Sequence, residues 1–448
     1  VGALVGPFER GPVNQMVNIT NEKSLLEYFG KPNSDNAEFW FTATNFLSYG
    51  GQLQVVRIGD SNLKNAVTDS ASAVLIESDT DYATNHFDGA QSFHYGAKYA
   101  GSYGNNISVH VVDHGYDFDL TVSAATTAAA GTTVYQDNGV TGKLFVDPAG
   151  GTALKVFETN GNLVVGTGNL LIQNTGATNT TLDGAVAAAA ATITVTSATG
   201  IATGEYLQLS GGEIVKVTDT ASAPQLSVDR AQFGTTAADH LDNGTVYELA
   251  AVNVTASSKW WDAVKVSGTD INWNTLVSRP GTSTYASNFG SKYDELSIVV
   301  LDATGAISGT KNTVLEKFQN VSKSADSQTT EGADNYYANI IRFASTYLWW
   351  GKHDVTNTTG SYGGYTTAAW GSGIQSGTNY TILGYQAYTF AGGVDGYSVT
   401  AGDLNGGYDL FADTESINLD FIIAGPLLST RVDSISVAQK VVNIASAR

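Results

Sequence analysis

Three kinds of stretch in this chain carry residue types that could do chemistry. HVVDH places His110, Asp113 and His114 within five residues, the imidazole and carboxylate donors of a divalent metal site. On a strand the two imidazoles would share a face. The spacing implies no further ligand, however, and a packed or surface histidine is the commoner outcome. ESDTDYATNHFDG, residues 77–89, has the acidity of a calcium loop but fails the EF-hand pattern at Ala83 and Thr84, so it reads as a solvated loop. NGVTGKL (138–144) and GAISGTK (305–311) approach the phosphate-binding loop, in which backbone amides wrap phosphates and a lysine neutralises them. Both have the wrong spacing and read as turns. Neither a G-x-S-x-G elbow nor an HExxH helix occurs. The expectation is a chain with no catalytic, cofactor-binding or metal-ligating residue, no cofactor, and no enzymatic activity.

Composition narrows the partners. A chain of 448 residues is too long for one hydrophobic core, which points to roughly two to four domains. Hydrophobic residues at 42%, with 49 Gly against 7 Pro, describe a folded, turn-rich protein. No apolar run approaches the ~18 residues of a membrane span, so no membrane insertion is expected. With no Cys there is neither a disulfide framework nor a thiolate site. The formal charge of −20 opposes direct binding to nucleic acid, whose affinity rests on Lys and Arg neutralising phosphates. The acidity reads as a solvated surface, and it would make copies of the chain repel at low salt.

The elements follow from periodicity. VGALVGPF begins as a strand. A helix capped by Thr20 runs to Phe29 with Leu25, Leu26 and Phe29 inward, and a second, 35–49, buries Phe39, Ala43, Phe46 and Leu47. Residues 53–58 form a buried strand. Residues 61–90 read as surface loop with a short strand at 73–76, and 97–113 as a glycine turn leading into a strand. Trp is absent from 119–256, where Ala, Thr, Val and Gly dominate. There EYLQLS-GG-EIVKVT (205–218) is a hairpin with a two-residue turn. TITVT (192–196), QLSVD (225–229) and TVYEL (245–249) add strands at spacings suited to a small sandwich or barrel. Trp260 and Trp261 mark the return to a packed body, followed by a strand at 293–302 and a helix at 313–321 with Val314, Leu315 and Phe318 inward. Residues 335–350 fit helix or strand, and 351–381 read as an exposed loop. Thr400 with Asp403 caps a helix over 401–413 that buries Leu404, Tyr408 and Phe411. A largely buried strand at 417–426 follows, then a helix capped near Ser434 with Val437, Val441, Ile444 and Ala445 inward. The fold class expected is an α/β (α+β) multidomain body with an inserted all-β sandwich- or barrel-like domain. Its boundaries are 1–118 with 257–391 for the body, 119–256 for the insertion, and 392–448 for the start of a C-terminal domain.

Two segments carry a family resemblance. GALVGPFERGPVNQMVNITNEKSLLEYFGKP and FWFTATNFLSYGGQLQVVRI, through Gly6, Gly11, Pro12, Phe29, Gly30, Pro32, Asn45, Phe46, Leu47, Tyr49, Gly50, Val55, Val56 and Arg57, and then VTAGDL…YDLFADTESINLDFIIAGP…SVAQKVVNIASAR, resemble the tail sheath proteins of contractile, T4-like bacteriophages. The resemblance covers roughly the first 115 and last 190 residues and leaves the insertion uncovered. It implies a structural subunit that stacks in hexameric rings around the tail tube, contacts baseplate and tail terminator proteins, and contracts to drive the tube through the host envelope. The location implied is the virion tail, with assembly in the host cytoplasm. It also implies that this is a fragment, lacking an N-terminal arm and most of the C-terminal domain, which by itself would be monomeric or weakly associating. Rival readings are a sheath from a tailocin or type VI secretion system, and a surface adhesin or carbohydrate-binding β protein suggested by the Thr/Val-rich insertion. A hydrolase lacks a nucleophile–base pair.

Overall fold

The computed structural model describes residues 1–448 apart from 70–73, 167, 356–364, 366 and 416. The chain opens with β1 (Gly2–Gly6), β2 (Met16–Ile19), α1 (Glu22–Phe29), α2 (Ala37–Ser48) and β3 (Leu53–Arg57). β1 runs parallel to β3, and β2 antiparallel to it. All of β1 is buried, and its glycines explain how. A Cβ at Gly2 would lie 2.6 Å from the Phe46 ring, and one at Gly6 2.6 Å from that of Phe39, so α2 lies directly on the backbone of β1. Asn21, not Thr20, caps α1, in a reciprocal pair with Ser24. Leu25, Phe29, Phe39, Ala43 and Leu47 are buried as expected, together with Trp40, whereas Leu26 is 38% exposed. Leu26 sits about 100° around the helix from Leu25, outside the one stripe that reaches the core.

The expected loop 61–90 contains α3 (Asp79–Asn85). The strand expected at 73–76 reduces to an isolated bridge between Val74 and Asn65, and Ala73 lies outside the described residues. β4 (Ala90–Ala97) and β5 (Ile107–Asp113) lead to the insertion.

The insertion holds β6 (Phe118–Val122), β7 (Thr133–Gln136), β8 (Thr141–Leu144), β9 (Ala153–Phe157), β10 (Asn169–Ile172), β11 (Asn179–Thr181), β12 (Thr192–Thr194), β13 (Tyr206–Leu209), β14 (Ile214–Asp219), β15 (Gln225–Asp229) and β16 (Thr245–Lys259). Strands in the order β10-β7-β8-β9-β6-β16 close on themselves through a β16–β10 pairing, a six-stranded barrel. A second ring, β11-β16-β13-β14-β15-β12, is joined by a bridge between Leu182 and Val195. β16 belongs to both: residues 245–249 pair in the second ring and 250–259 in the first. TVYEL is thus the beginning of a strand three times its length, because alternation continues through Val252 and Val254, both buried in the first ring. The β13–β14 hairpin turns on Ser210, Gly211 and Gly212, with Leu209 N donating to Glu213 O at 2.8 Å, one residue more than expected.

The body resumes with α4 (Trp260–Ala263), α5 (Thr284–Asn288), β17 (Glu295–Asp302), β18 (Thr313–Ser322), α6 (Tyr337–Ala344), β19 (Leu348–Lys352), β20 (Thr367–Ala368), β21 (Asn379–Tyr380) and β22 (Tyr385–Thr389). An antiparallel sheet runs β18-β17-β5-β22, and β19 pairs with β4. The expected helix 313–321 is β18. Its short apolar pattern suits either form, and the otherwise open edge of β17 selects the strand. The open choice at 335–350 resolves into both, α6 then β19. Of the loop expected at 351–381, residues 356–364 and 366 lie outside the described residues. Thr367, Ala368, Ala369 and Trp370 are buried rather than exposed, and β20 pairs with β21.

α7 (Ala401–Asp409), β23 (Phe421–Ile423) and α8 (Arg431–Ala447) complete the chain described. The Thr400–Asp403 box forms as expected, and Leu404, Tyr408 and Phe411 are buried. The strand expected at 417–426 shrinks to β23, half-exposed, which joins β1 in parallel at the sheet edge. An edge strand has one side without a partner, so it buries less than the apolar run suggests. α8 starts earlier than expected: Thr430 Oγ1 accepts from Asp433 N at 3.1 Å. Val437, Val441 and Ile444 are buried, but Ala445 is exposed. Ala3 to Ile58 and Ala401 to Ile444 contribute to one hydrophobic core, so α7, β23 and α8 pack on the opening unit.

Candidate functional site

The residues singled out for chemistry do not converge. His110 lies buried on β5, its Nε2 3.0 Å from Ser108 Oγ and its Nδ1 2.9 Å from the Tyr385 hydroxyl, and burial lowers its pKa to about 4. Asp113 faces a different set of partners. Its Oδ2 accepts from Lys323 Nζ at 2.9 Å, with both side chains buried, and Lys323 also donates to the carbonyls of Tyr293 and Thr381. Leu383 N and Gly384 N complete the carboxylate's partners. His114 falls just past the strand end and lies 4.7 Å from the Tyr293 ring, its pKa lowered to about 4 by burial and then by Arg279. Among the described residues no group of three or more His, Cys, Asp or Glu is placed to hold a metal ion.

The phosphate-loop lookalikes resolve in physical terms. In GAISGTK the amides of Gly305, Ile307 and Ser308 do converge, but on the carboxylate of Asp302, at 2.7–2.9 Å. An internal anion occupies the nest that a phosphate would need. Burial works against the charged form of Asp302, and these hydrogen bonds outweigh it, lowering its pKa. NGVTGKL supplies the turn after β7 and then β8 itself, whose Lys143 lies 3.1 Å from Glu158 Oε2. Glu158 also accepts from the hydroxyls of Tyr293 (2.6 Å) and Tyr365 (2.5 Å), so one carboxylate ties the first ring to the body. Residues 77–89 contain α3 (Asp79–Asn85) between short non-helical ends: Ser78 caps it, and Tyr82 stacks on Trp349 at 4.0 Å and donates to Trp350 O. Tertiary stacking offsets the poor helix propensity of Asp and Thr there.

Sequence reasoning missed three buried networks. Arg57 is buried and donates to the carbonyls of Phe8, Glu9, Gly11 and Ala100, with burial lowering its pKa to about 10. Lys323 with Asp113 is the second. In the second ring, buried Glu213 takes two bonds from Arg230 (2.6 and 2.7 Å), one from His240 and two from backbone amides. Lone charged residues in apolar surroundings were the available signal, but their partners lie too far away in sequence to be paired by spacing. These groups hold the fold through internal hydrogen bonds and ion pairs. The surface offers binding features instead: Phe421, Leu427, Val432, Ile435 and Val442 are exposed on β23, the turn after it and α8. No described helix is long and apolar enough to cross a membrane.

No family model matches the chain. It is similar to the tail sheath protein of Salmonella phage ViI, 34% identical over 25% of this chain and 18% of that protein. It is 42% identical to the tail sheath protein of Vibrio phage KVP40, over 16% of this chain and 11% of that one. With the tail sheath protein of Enterobacteria phage T4 the identity is 45%, over 13% and 9%. The matches therefore span less than a fifth of each relative's length. A solved sheath tail protein, Lin1278 from Listeria innocua, aligns over 57% of this chain and 34% of its own, at 11% identity and a TM-score of 0.17, too low to compare folds. By sequence, segments of the chain are similar to the tail sheath proteins of these phages.

Proposed function

We propose that the chain belongs to a structural subunit of a contractile phage tail sheath. Copies stack as hexameric rings around the tail tube, meet baseplate and terminator proteins at the two ends, and shorten together to drive the tube through the host envelope. The observation that carries this reading is 34–45% identity to three tail sheath proteins. Two features of the molecule support it. Side chains singled out for chemistry, His110, Asp113, Lys143 and Asp302, have internal partners, and exposed apolar residues on β23 and α8 suit contacts between subunits. A sheath that fires without nucleotide carries its work as the free-energy difference between two packings of one lattice. The proposed location is the virion tail, after assembly in the host cytoplasm, with neither nucleic acid nor membrane as a direct partner.

The proposal includes a division of labour: a discontinuous body (1–118 with 257–391), an outward β insertion (119–256) and a C-terminal assembly segment from 392. Separate core clusters for the two β rings and for the body sheet support the setting apart of the insertion. Electron microscopy of the complete polypeptide to which the chain belongs, purified with and without tail tubes, tests the reading. Rings or tubes of two different lengths are expected. A protein that stays dispersed at every salt concentration with tubes present, or that turns over a substrate with saturable kinetics, overturns it.

A further inference from the structure

Where the first ring meets the body, a cleft of about 470 Å3 opens between the segment after β9 and the start of α4. Its wall carries Trp261, Asp262, Lys259, Asn162, Arg279 and Asp117. Trp260 and Trp261 are consecutive but do opposite things. Trp260 is buried over Gly115, where a Cβ would lie 2.3 Å from its ring, and packs 5.4 Å from Tyr116. That anchor holds Trp261 in place, with its ring 6.0 Å away at 47°, half-buried and lining the cleft. A large aromatic held rigidly at an opening keeps apolar area in contact with water, which a ligand would remove.

The polar groups divide into a frame and a free set. Arg279 is committed: it pairs with Asp117 at 2.9 Å and donates to the carbonyls of His114 and Tyr116. Asp117 also accepts from Thr159. By contrast the side chains of Asp262, Lys259 and Asn162, and the Trp261 indole N–H, make no hydrogen bond or ion pair among the described residues. The free set is thus one carboxylate, one ammonium, one amide and one aromatic face. It has no surplus of positive charge for a phosphate ligand, and it presents donors and acceptors together around a flat apolar surface. A pyranose offers the complement, an apolar C–H face rimmed by hydroxyls that both donate and accept.

We propose that this cleft binds a neutral saccharide, with one sugar ring on Trp261 and its hydroxyls on Asp262, Lys259 and Asn162. The test is a glycan array of neutral bacterial surface saccharides and simple oligosaccharides probed with the whole 448-residue chain, followed by saturation-transfer NMR on the best binder. Trp261→Ala is expected to weaken binding about tenfold or more. Because Trp261 also packs on the body core, Trp261→Phe and Asn162→Ala serve as fold-sparing variants, the latter expected to lose roughly threefold through one hydrogen bond. Failure of the unaltered chain to bind any printed saccharide at millimolar concentration overturns the proposal. So does binding that is unchanged in both Trp261→Phe and Asn162→Ala.

Discussion

The two β rings and the α/β body bury charge by different routes. In the second ring, Glu213 finds Arg230 and His240 only 17 and 27 residues away. In the body, Lys323 reaches Asp113 across 210 residues, Tyr82 reaches Trp350 across 268, and the opening unit shares its core with residues beyond 400. The second ring completes its network from local chain, whereas Glu158 of the first ring reaches Tyr293 and Tyr365 of the body. In the body the Lys323–Asp113 and Tyr82–Trp350 contacts form only when the chain has returned from the insertion, at the larger loop-closure cost that long separations impose, whereas Arg57 finds its carbonyls before the insertion begins. The difference has a built-in reporter: all seven Trp lie outside residues 119–256, so tryptophan fluorescence follows the body and its junction with the first ring, and leaves the second ring unreported.

Breaking a buried pair should give the largest effects and separate the two regions. Lys323→Ala leaves Asp113 buried and unpaired and should cost about 3–5 kcal/mol, seen as a lower urea midpoint by tryptophan fluorescence. Hydrogen exchange in residues 179–249 should stay unchanged. Glu213→Ala should cost a similar amount, about 3–5 kcal/mol, with the opposite pattern: faster exchange across β13 to β15 and an unmoved tryptophan transition. Coupled loss in both regions from either variant would show that the comparison is misdrawn.

Intermediate effects come from packing and pH. Gly407→Ala places a Cβ 2.5 Å from a Val5 methyl, where α7 lies against β1, and should destabilise by about 1–3 kcal/mol despite alanine's better helix propensity. Burial by itself would raise the pKa of Glu213, but Arg230, His240 and two amides hold it at about 2, against an ordinary value of 4.5. The folded pKa lies below the unfolded one, so this stability is complete above about pH 4.5 and is lost as pH falls toward 2. Glu158 follows the same window, its tyrosine and lysine partners outweighing burial to hold it at about 2. Acid titration followed by hydrogen exchange should therefore loosen the second ring and the ring–body junction over the same pH range. The smallest change expected is a gain. Gly406→Ala meets no atom within 4 Å and should stabilise by about 0.5–1 kcal/mol in thermal unfolding, the reverse of its neighbour.

Legibility in the sequence followed the range of the interactions. The Thr400–Asp403 box, the Leu404–Tyr408–Phe411 stripe and the QLSVD strand depend on residues a few positions apart, and their periodicity was enough. Residues 313–321 failed because a nine-residue apolar pattern fits two periods, and the edge of β17, not the segment, made the choice. α3 failed for a related reason: its helix rests on Tyr82 stacking against Trp349, 267 positions further along. The candidate metal residues show the limit most plainly. His110, Asp113 and His114 are neighbours in sequence, but the end of β5 and the returning chain give each different partners.

By itself the sequence determined the element types wherever a stripe or cap is local, the presence of a β-rich insertion in an α/β body, and the similarity to sheath proteins. Only the tertiary structure decided that one strand, β16, serves two closed rings, that Asp302 fills its own amide nest, and that Lys323 pairs with Asp113. The reason is physical. Periodicity records which face of an element turns inward, while partner identity depends on how distant segments are brought together, and no short window of sequence contains that.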